Sequence, residues 1–232
     1  MATYAIGDIH GCNRTLHALL RQIGLGRGDC LVLLGDLIDR GPDSKGVVDS
    51  VRLLEKKGIR VVCLRGNHEQ MLLDARKGPA DADRWFRNGG KATLESFGAK
   101  WIEDIPAAYI TFFEAMPLWF ETGGFLCVHG GIDFSLDNPL DDPDSLLWKR
   151  QWYAQINHAS LGNRIILHGH TPMALSEIQA QHAALEQQRY LNLDNGCVYA
   201  LRHPRPSGLG RLVALCLESK KIFEQKCLEH YG

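Results

Sequence analysis

A chain of 232 residues with 45% hydrophobic residues can build one sizeable α/β domain, and its formal charge of −1 gives no electrostatic case for nucleic-acid or membrane partners. Seven cysteines, an odd number with no Cys-x-x-Cys pair, read as buried thiols in a reducing compartment, and no apolar run approaches the ~20 residues of a membrane helix. The first strand begins almost at Met1, so no secretory leader is expected and the expected location is cytoplasmic.

The chain opens on Tyr4-Ala5-Ile6, which runs into Gly7-Asp8-Ile9-His10-Gly11, an apolar strand stopping abruptly on polar groups beside glycine. Leu16, Leu19, Leu20 and Ile23 then recur at i, i+3, i+4 and i+7, the stripe of an amphipathic helix, with Asn13 or Thr15 as cap. Cys30 to Leu34 forms a second strand that breaks into Gly35-Asp36-Leu37-Ile38-Asp39-Arg40-Gly41, and Pro42-Asp43-Ser44 start a helix carrying Val47, Val48, Val51 and Leu54. A third strand, Val61 to Leu64, breaks into Arg65-Gly66-Asn67-His68-Glu69, where Glu69 reads as a carboxylate favoured at a helix N-terminus. This β-α-β-α-β order requires right-handed crossovers and sets three carboxyl-end loops along one rim, so Asp8, His10, Asp36 and Asn67 are expected to converge.

A third helix is predicted from near Glu69 to Gly78-Pro79. Asp81 to Met116, with Trp85, Phe86, Leu94, Phe97 and Trp101, reads as a helical insert broken at Asn88-Gly89-Gly90, either covering the sheet or selecting substrate. Two more strands stop in the same way, Phe125 to Val128 at His129-Gly130-Gly131 and Arg164 to Leu167 at His168-Gly169-His170-Thr171. Asp137 to Asp144 reads as a surface loop, and Ala174 to Arg189, lacking a clear core stripe, as a short helix or mobile excursion before strand Tyr190 to Leu193. Strand-like runs at Val198 to Leu201, Leu212 to Leu217 and Lys221 to Leu228 predict an antiparallel finish. No repeat or linker is visible, so residues 1–232 are read as one domain.

Five strand ends thus supply Asp8, His10, Asp36, Asn67, His129 and His170, oxygen and imidazole donors with no thiolate among them. That is too many for one tetrahedral zinc and suits two divalent ions, with a carboxylate such as Asp36 bridging both. Such a pair activates water and polarises a phosphoryl group, which points to hydrolysis of a phosphate ester. Arg40 and Arg65 are expected on phosphate, together with Arg150, for which a surface ion pair is an equal alternative. His68, next to Asn67, is left free to act as general acid, with Asp39 orienting its ring and holding it cationic.

Gly7-Asp8-Ile9-His10-Gly11, Gly35-Asp36-Leu37-Ile38-Asp39-Arg40-Gly41 and Arg65-Gly66-Asn67-His68-Glu69, with His129-Gly130 and Gly169-His170-Thr171, resemble the phosphoprotein phosphatase family of metal-dependent Ser/Thr phosphatases over nearly the whole chain. The compact length and Leu147-Trp148-Lys149-Arg150 are most similar to its bacterial and bacteriophage branch, typified by the lambda phosphatase. The resemblance implies an α/β fold of calcineurin-like metallophosphoesterase type, a two-sheet β-sandwich flanked by helices, where the strand pattern alone gives one parallel sheet. It further implies one metal at Asp8, His10 and Asp36, a second at Asp36, Asn67, His129 and His170, Mn2+ as the usual ion with Fe, Zn or Co as alternatives, and direct attack by metal-bound hydroxide.

The expected substrates are therefore phosphoproteins or phosphopeptides. The nearest rival is a diadenosine tetraphosphate hydrolase; the symmetrical enzymes of that kind tend to lack an aspartate at the Asp39 position and an arginine at the Arg65 position, both present here. A nuclease ranks lower, because Thr171 stands where such enzymes carry a second His, and a non-catalytic phosphopeptide-binding scaffold ranks lower still, because every inferred donor is present. Asp194-Asn195-Gly196 departs from the Asp-Thr-Gly of many relatives.

Overall fold

The protein is described by a computed structural model over residues 1–202, 204 and 207–230. Three strands at the start, β1 (Thr3–Ile6), β2 (Cys30–Leu33) and β3 (Arg60–Cys63), lie parallel and adjacent in the order β3-β2-β1, linked by α1 (Asn13–Ile23) and α2 (Ser44–Lys56). β1 also pairs antiparallel with β8 (Arg211–Cys216), which pairs antiparallel with β9 (Ile222–Lys226), completing a five-stranded sheet. A second sheet holds β4 (Trp119–Thr122), β5 (Phe125–Val128), β6 (Ile165–His168) and β7 (Tyr190–Asn192) in sequence order, the last three parallel.

Side chains alternate across each strand, and β2, β5 and β6 are buried on both faces, which is why they read as continuous apolar runs rather than as alternating ones. Ala5, Val32 and Leu34 from the first sheet and Phe125, Cys127 and Leu167 from the second meet in the core between the sheets. Ile6, Leu31 and Leu33 face the other way, onto α1 and α2, while Leu126, Val128 and Ile166 cover the far side of the second sheet with Trp152. The two-sheet sandwich is the expected one. β4, whose side chains are half-buried or exposed and carry no continuous apolar run, is an element the hydrophobic pattern missed, although Gly123-Gly124 is an adequate hairpin turn before β5.

The third helix is α3 (Asn67–Ala75), and the helical insert is present as α4 (Pro79–Arg87), α5 (Gly90–Phe97) and α6 (Ala107–Glu114), with Gly89 at φ 105° forming the break. Later, α7 (Pro143–Trp148) and α8 (His158–Leu161) flank the second sheet, and the 174–189 segment is helical, as α9 (Leu175–Ala183) and α10 (Leu185–Gln188). Cys197–Leu201 is a 3-10 helix, not the strand its β-branched and aromatic residues predict, because Gly196 at φ 59° turns the chain out of the sheet direction.

The start of α1 also differs from expectation. Neither Asn13 nor Thr15 caps it in the usual sense; the helix follows Cys12, which makes no side-chain capping bond. Its orphan N–H at Thr15 donates instead to Glu229 Oε1 at 3.0 Å, the Thr15 hydroxyl donates to Glu229 Oε2, and Leu228 N–H donates back to Thr15 Oγ1 at 2.9 Å. The cap therefore comes from the far end of the chain, 214 residues away. Thr15→Val should strip a donor from this buried carboxylate and an acceptor from Leu228, at a cost of about 1–3 kcal/mol. For a chain this size that lowers the melting temperature by roughly 2–12 °C, and an unchanged melt would remove the tie from the account.

Candidate metal centre

Asp8, His10, Asp36, Asn67, His129 and His170 all lie just beyond the carboxyl ends of β1, β2, β3, β5 and β6, and each is at most 5% exposed. The glycines beside them have a steric purpose. A methyl group on Gly66 would overlap Asp36 Oδ1, one on Gly169 would overlap Asp8 Oδ1, and one on Gly35 would lie 2.6 Å from His129 Nδ1. Each glycine thus makes room for a donor carried by a different loop. The backbone is strained here as well: His10, Asp36, Asp39, Arg40 and His170 are five of the eight non-glycine residues with positive φ among the described residues.

Backbone carbonyls fix the imidazole tautomers. Nδ1–H of His10 donates to Ile38 O at 2.9 Å, Nδ1–H of His129 to Leu34 O at 2.8 Å, and Nε2–H of His170 to Trp148 O at 3.3 Å. The opposite nitrogens then present lone pairs inward: His129 Nε2 faces Asn67 Oδ1 at 2.9 Å and Asp36 Oδ1 at 3.3 Å, and His170 Nδ1 faces Asn67 Oδ1 at 2.7 Å. Flipping the Asn67 amide would still leave His129 and Asp36 lone pair to lone pair. Burial lowers the pKa of His10 and His129 and takes His170 down to about 2, so these rings are neutral donors at physiological pH. Converging acceptors without a proton between them call for a cation.

Two donor clusters form, His10 with Asp36 and His68, and Asp36 with His129 and His170. Asp36 belongs to both, the position of a bridging carboxylate. Asp8 is pushed up by burial, then by Asp194 and Asp36, and Asp194 rises to about 7 through burial. Asp194 Oδ2 is buried with no hydrogen-bond partner, a second sign that positive charge belongs among these carboxylates. The departure of Asp194-Asn195-Gly196 from Asp-Thr-Gly lies at Asn195, and the closeness of Asp194 to Asp8 is visible only after folding.

His68 differs from the other rings. Nδ1–H donates to Asp39 Oδ2 at 2.7 Å, which leaves Nε2 toward the centre, 3.9 Å from Asp36 Oδ2. Burial, the largest influence, works against its charge, yet Asp36 and Asp39 together raise its pKa above the ordinary value. Asp39 is itself held by the insert: Trp85 Nε1–H donates to both carboxylate oxygens at 3.0 and 2.9 Å, Thr93 Oγ1 donates to Oδ1 at 2.6 Å, and Gly89 O accepts Arg40 N–H at 3.2 Å. The insert therefore fixes the Asp39-Arg40 loop, beyond merely covering the sheet. Glu69 also does more than favour a helix dipole. Its carboxylate accepts N–H bonds from Gly66, Asp36, Leu37 and Ile38 at 2.7–3.3 Å, lashing the β2 loop to the β3 loop.

The three arginines are placed differently. Arg40 donates to His10 Nε2 at 2.7 Å, and Arg150 donates to Thr171 Oγ1 at 3.1 Å while its charge bears on His129, His170 and Asp194. Arg65 is engaged with α3 and α6, donating to Gln70 Oε1 at 3.0 Å and Glu114 O at 2.6 Å. His168, kept out of the donor set, is hydrogen-bonded to Tyr153 at 2.8 Å and to Gly169 O at 3.0 Å.

Residues 1–202 match the calcineurin-like phosphoesterase family. The chain is 28% identical over 227 residues to a bis(5'-nucleosyl)-tetraphosphatase (asymmetrical) of Bacillus subtilis, covering 86% of this chain and 87% of that protein. It is 47% identical over 88 residues to Serine/threonine-protein phosphatase 1 of Salmonella typhimurium, a match that spans 38% of each. In fold it is similar to a serine/threonine phosphatase of Saccharomyces cerevisiae, with a TM-score of 0.64 at 17% identity, over 100% of this chain and 82% of that one. No helix among the described residues is long and apolar enough to cross a membrane. The strand-end donors, the shared Asp36 and the match over residues 1–202 lead to one conclusion: the chain belongs to the calcineurin-like phosphoesterases, hydrolases that use divalent metal ions.

Proposed function

We infer that this phosphoesterase hydrolyses dinucleoside tetraphosphates. The observation that carries the reading is the aromatic rim of the centre. The Trp148 ring stands edge-on to His170 with centroids 6.3 Å apart and carries the Arg84 guanidinium 4.4 Å from its own centroid. On Tyr199, the Arg202 and Arg40 guanidiniums lie 4.1 and 5.9 Å from the ring centroid. Half-buried aromatic faces flanked by arginines suit nucleobases linked by phosphates. The similarity along most of the chain to the Bacillus tetraphosphatase supports the same class, against the protein phosphatase that the motifs alone favour.

In this reading Asp8, His10 and Asp36 would hold one divalent ion, and Asp36, Asn67, His129 and His170 the other. Bound there, the ions supply Lewis-acid activation of water and neutralise charge on the phosphoryl oxygens. Arg40 and Arg150 grip the phosphate chain, and Arg65 joins them by giving up its bond to Gln70. His68 Nε2 donates to the departing oxygen, an assistance that is modest for a phosphate leaving group and larger for an alkoxide, while Asp39 keeps the ring oriented through Nδ1.

Gly169→Ala should push Asp8 from its place and weaken metal binding by roughly 10–100-fold, the range for residues that support a ligand. Titration calorimetry reads this directly, and unaltered affinity would take Asp8 out of the donor set. The substrate is tested by initial rates of Mn2+-loaded protein on diadenosine tetraphosphate, phosphoserine peptide and phosphothreonine peptide side by side. Higher kcat/KM on the dinucleotide is expected, with chromatography telling two diphosphates from a triphosphate and a monophosphate. A higher value on the peptides would favour a second reading, a Ser/Thr phosphatase, whose observation is the 2.7 Å His68–Asp39 pair suited to a poor alkoxide leaving group.

A further inference from the structure

Away from the phosphoesterase centre, three cysteines distant in sequence come together. Cys12 immediately precedes α1, Cys197 opens the 3-10 turn after Asp194-Asn195-Gly196, and Cys227 follows β9; their sulfurs all lie within 4.8 Å of one another. Cys12 and Cys197 are buried and Cys227 is half-buried, and each carries a free thiol. Glu229 stands beside them, 6% exposed, with Oε2 3.4 Å from Cys227 Sγ.

Small thiols fill core gaps singly, whereas three from distant segments meeting at this spacing make a soft-donor cluster. Beside the cluster, Glu229 accepts hydrogen bonds from Thr15 and from the Cys227 thiol. A buried anion next to three thiols is the setting in which a thiophilic cation is favourable. With metal–sulfur bonds of about 2.3 Å, tetrahedral geometry sets ligand sulfurs roughly 3.8 Å apart, so this cluster needs to contract by no more than about 1 Å. The other four cysteines, Cys30, Cys63, Cys127 and Cys216, belong to β2, β3, β5 and β8.

We propose that Cys12, Cys197 and Cys227 form a three-sulfur structural site for a zinc-class ion, separate from the phosphoesterase metals. Binding forms three metal–sulfur bonds, leaves the fourth position to a water, and releases the thiol protons to solvent. The ion ties the chain after β9 to the loops that carry His10 and Asp194, and so fastens the C-terminal segment to the rim. Its protein donors are three sulfurs, whereas the phosphoesterase centre offers only oxygen and nitrogen, and that contrast makes the two distinguishable.

The test is cobalt substitution of the full chain, stripped of metal, kept reduced and titrated with Co2+ under anaerobic conditions. Thiolate-to-cobalt charge transfer should appear in the near ultraviolet with intense visible bands of a tetrahedral ion, and Zn2+ should abolish both. In Cys227→Ser and Cys197→Ser the charge-transfer absorbance should fall to background or to a weakened remnant, while Mn2+ uptake at the oxygen and nitrogen donors persists. Absence of the near-ultraviolet band in wild-type protein whose thiols titrate as reduced would overturn the proposal. So would a band that survives undiminished in both variants.

Discussion

Asp36→Asn is expected to lower kcat by more than about 10³-fold, beyond the roughly 10–100-fold typical of residues that only support a ligand. Asparagine tolerates the positive φ of 50° at this position and can still accept the His68 N–H bond seen at 3.0 Å, so the backbone should hold. What is lost is the negative charge shared by the His10 and the His129–His170 clusters. Metal analysis after dialysis should fall from two ions per chain to one or fewer, with the far-ultraviolet spectrum unchanged. Retention of both ions and of near-wild-type turnover would show that Asp36 bridges nothing.

His68→Asn is expected to act on the leaving group. Loss of a positioned acid costs about 10²–10⁴-fold where the departing oxygen needs its proton, as in a serine phosphate. An aryl phosphate or a phosphoanhydride, whose leaving groups are stable as anions, should lose much less. Asp39→Asn adds a second signature. Burial already opposes the charged ring, and removing one of the carboxylates that raise the His68 pKa should move the basic limb of the rate profile to lower pH. Equal losses on all substrates, or a limb that stays in place, would contradict the acid role; metal content should remain at the wild-type level in both variants.

Much of the centre was legible because its logic is local. Each of five strands ends on a donor beside glycine, and strand ends in a parallel arrangement share a rim, so Asp8, His10, Asp36, Asn67, His129 and His170 follow from pattern alone. The structure adds why glycine recurs: Gly66 and Gly169 accommodate carboxylates from other loops, a relation between positions far apart in the chain. The supporting residues were hidden for the same reason. Trp85 reads as ordinary core, and only the folded insert brings its N–H to Asp39; Glu69 reads as a helix-start carboxylate, and only strand adjacency brings it to the Asp36 loop.

Misread elements were those decided by contacts distant in sequence. α1 lacks a local cap because Glu229 supplies one, and Cys197–Leu201 has strand-like composition but follows a glycine with positive φ. β4 has no apolar run because it sits at the edge of its sheet with exposed Trp119. The residues on which the proposed dinucleotide reading rests, Trp148, Tyr199 and Arg84, likewise come from three separate segments.

The central claim is that one carboxylate joins two cation sites at the rim of the sheet. Electron paramagnetic resonance of protein loaded with Mn2+ reads this most directly, because two ions sharing a bridge couple magnetically. An exchange-coupled spectrum is expected, with hyperfine spacing half that of an isolated ion, and it should disappear in Asp36→Asn. Spectra of independent single ions at full metal loading would contradict it.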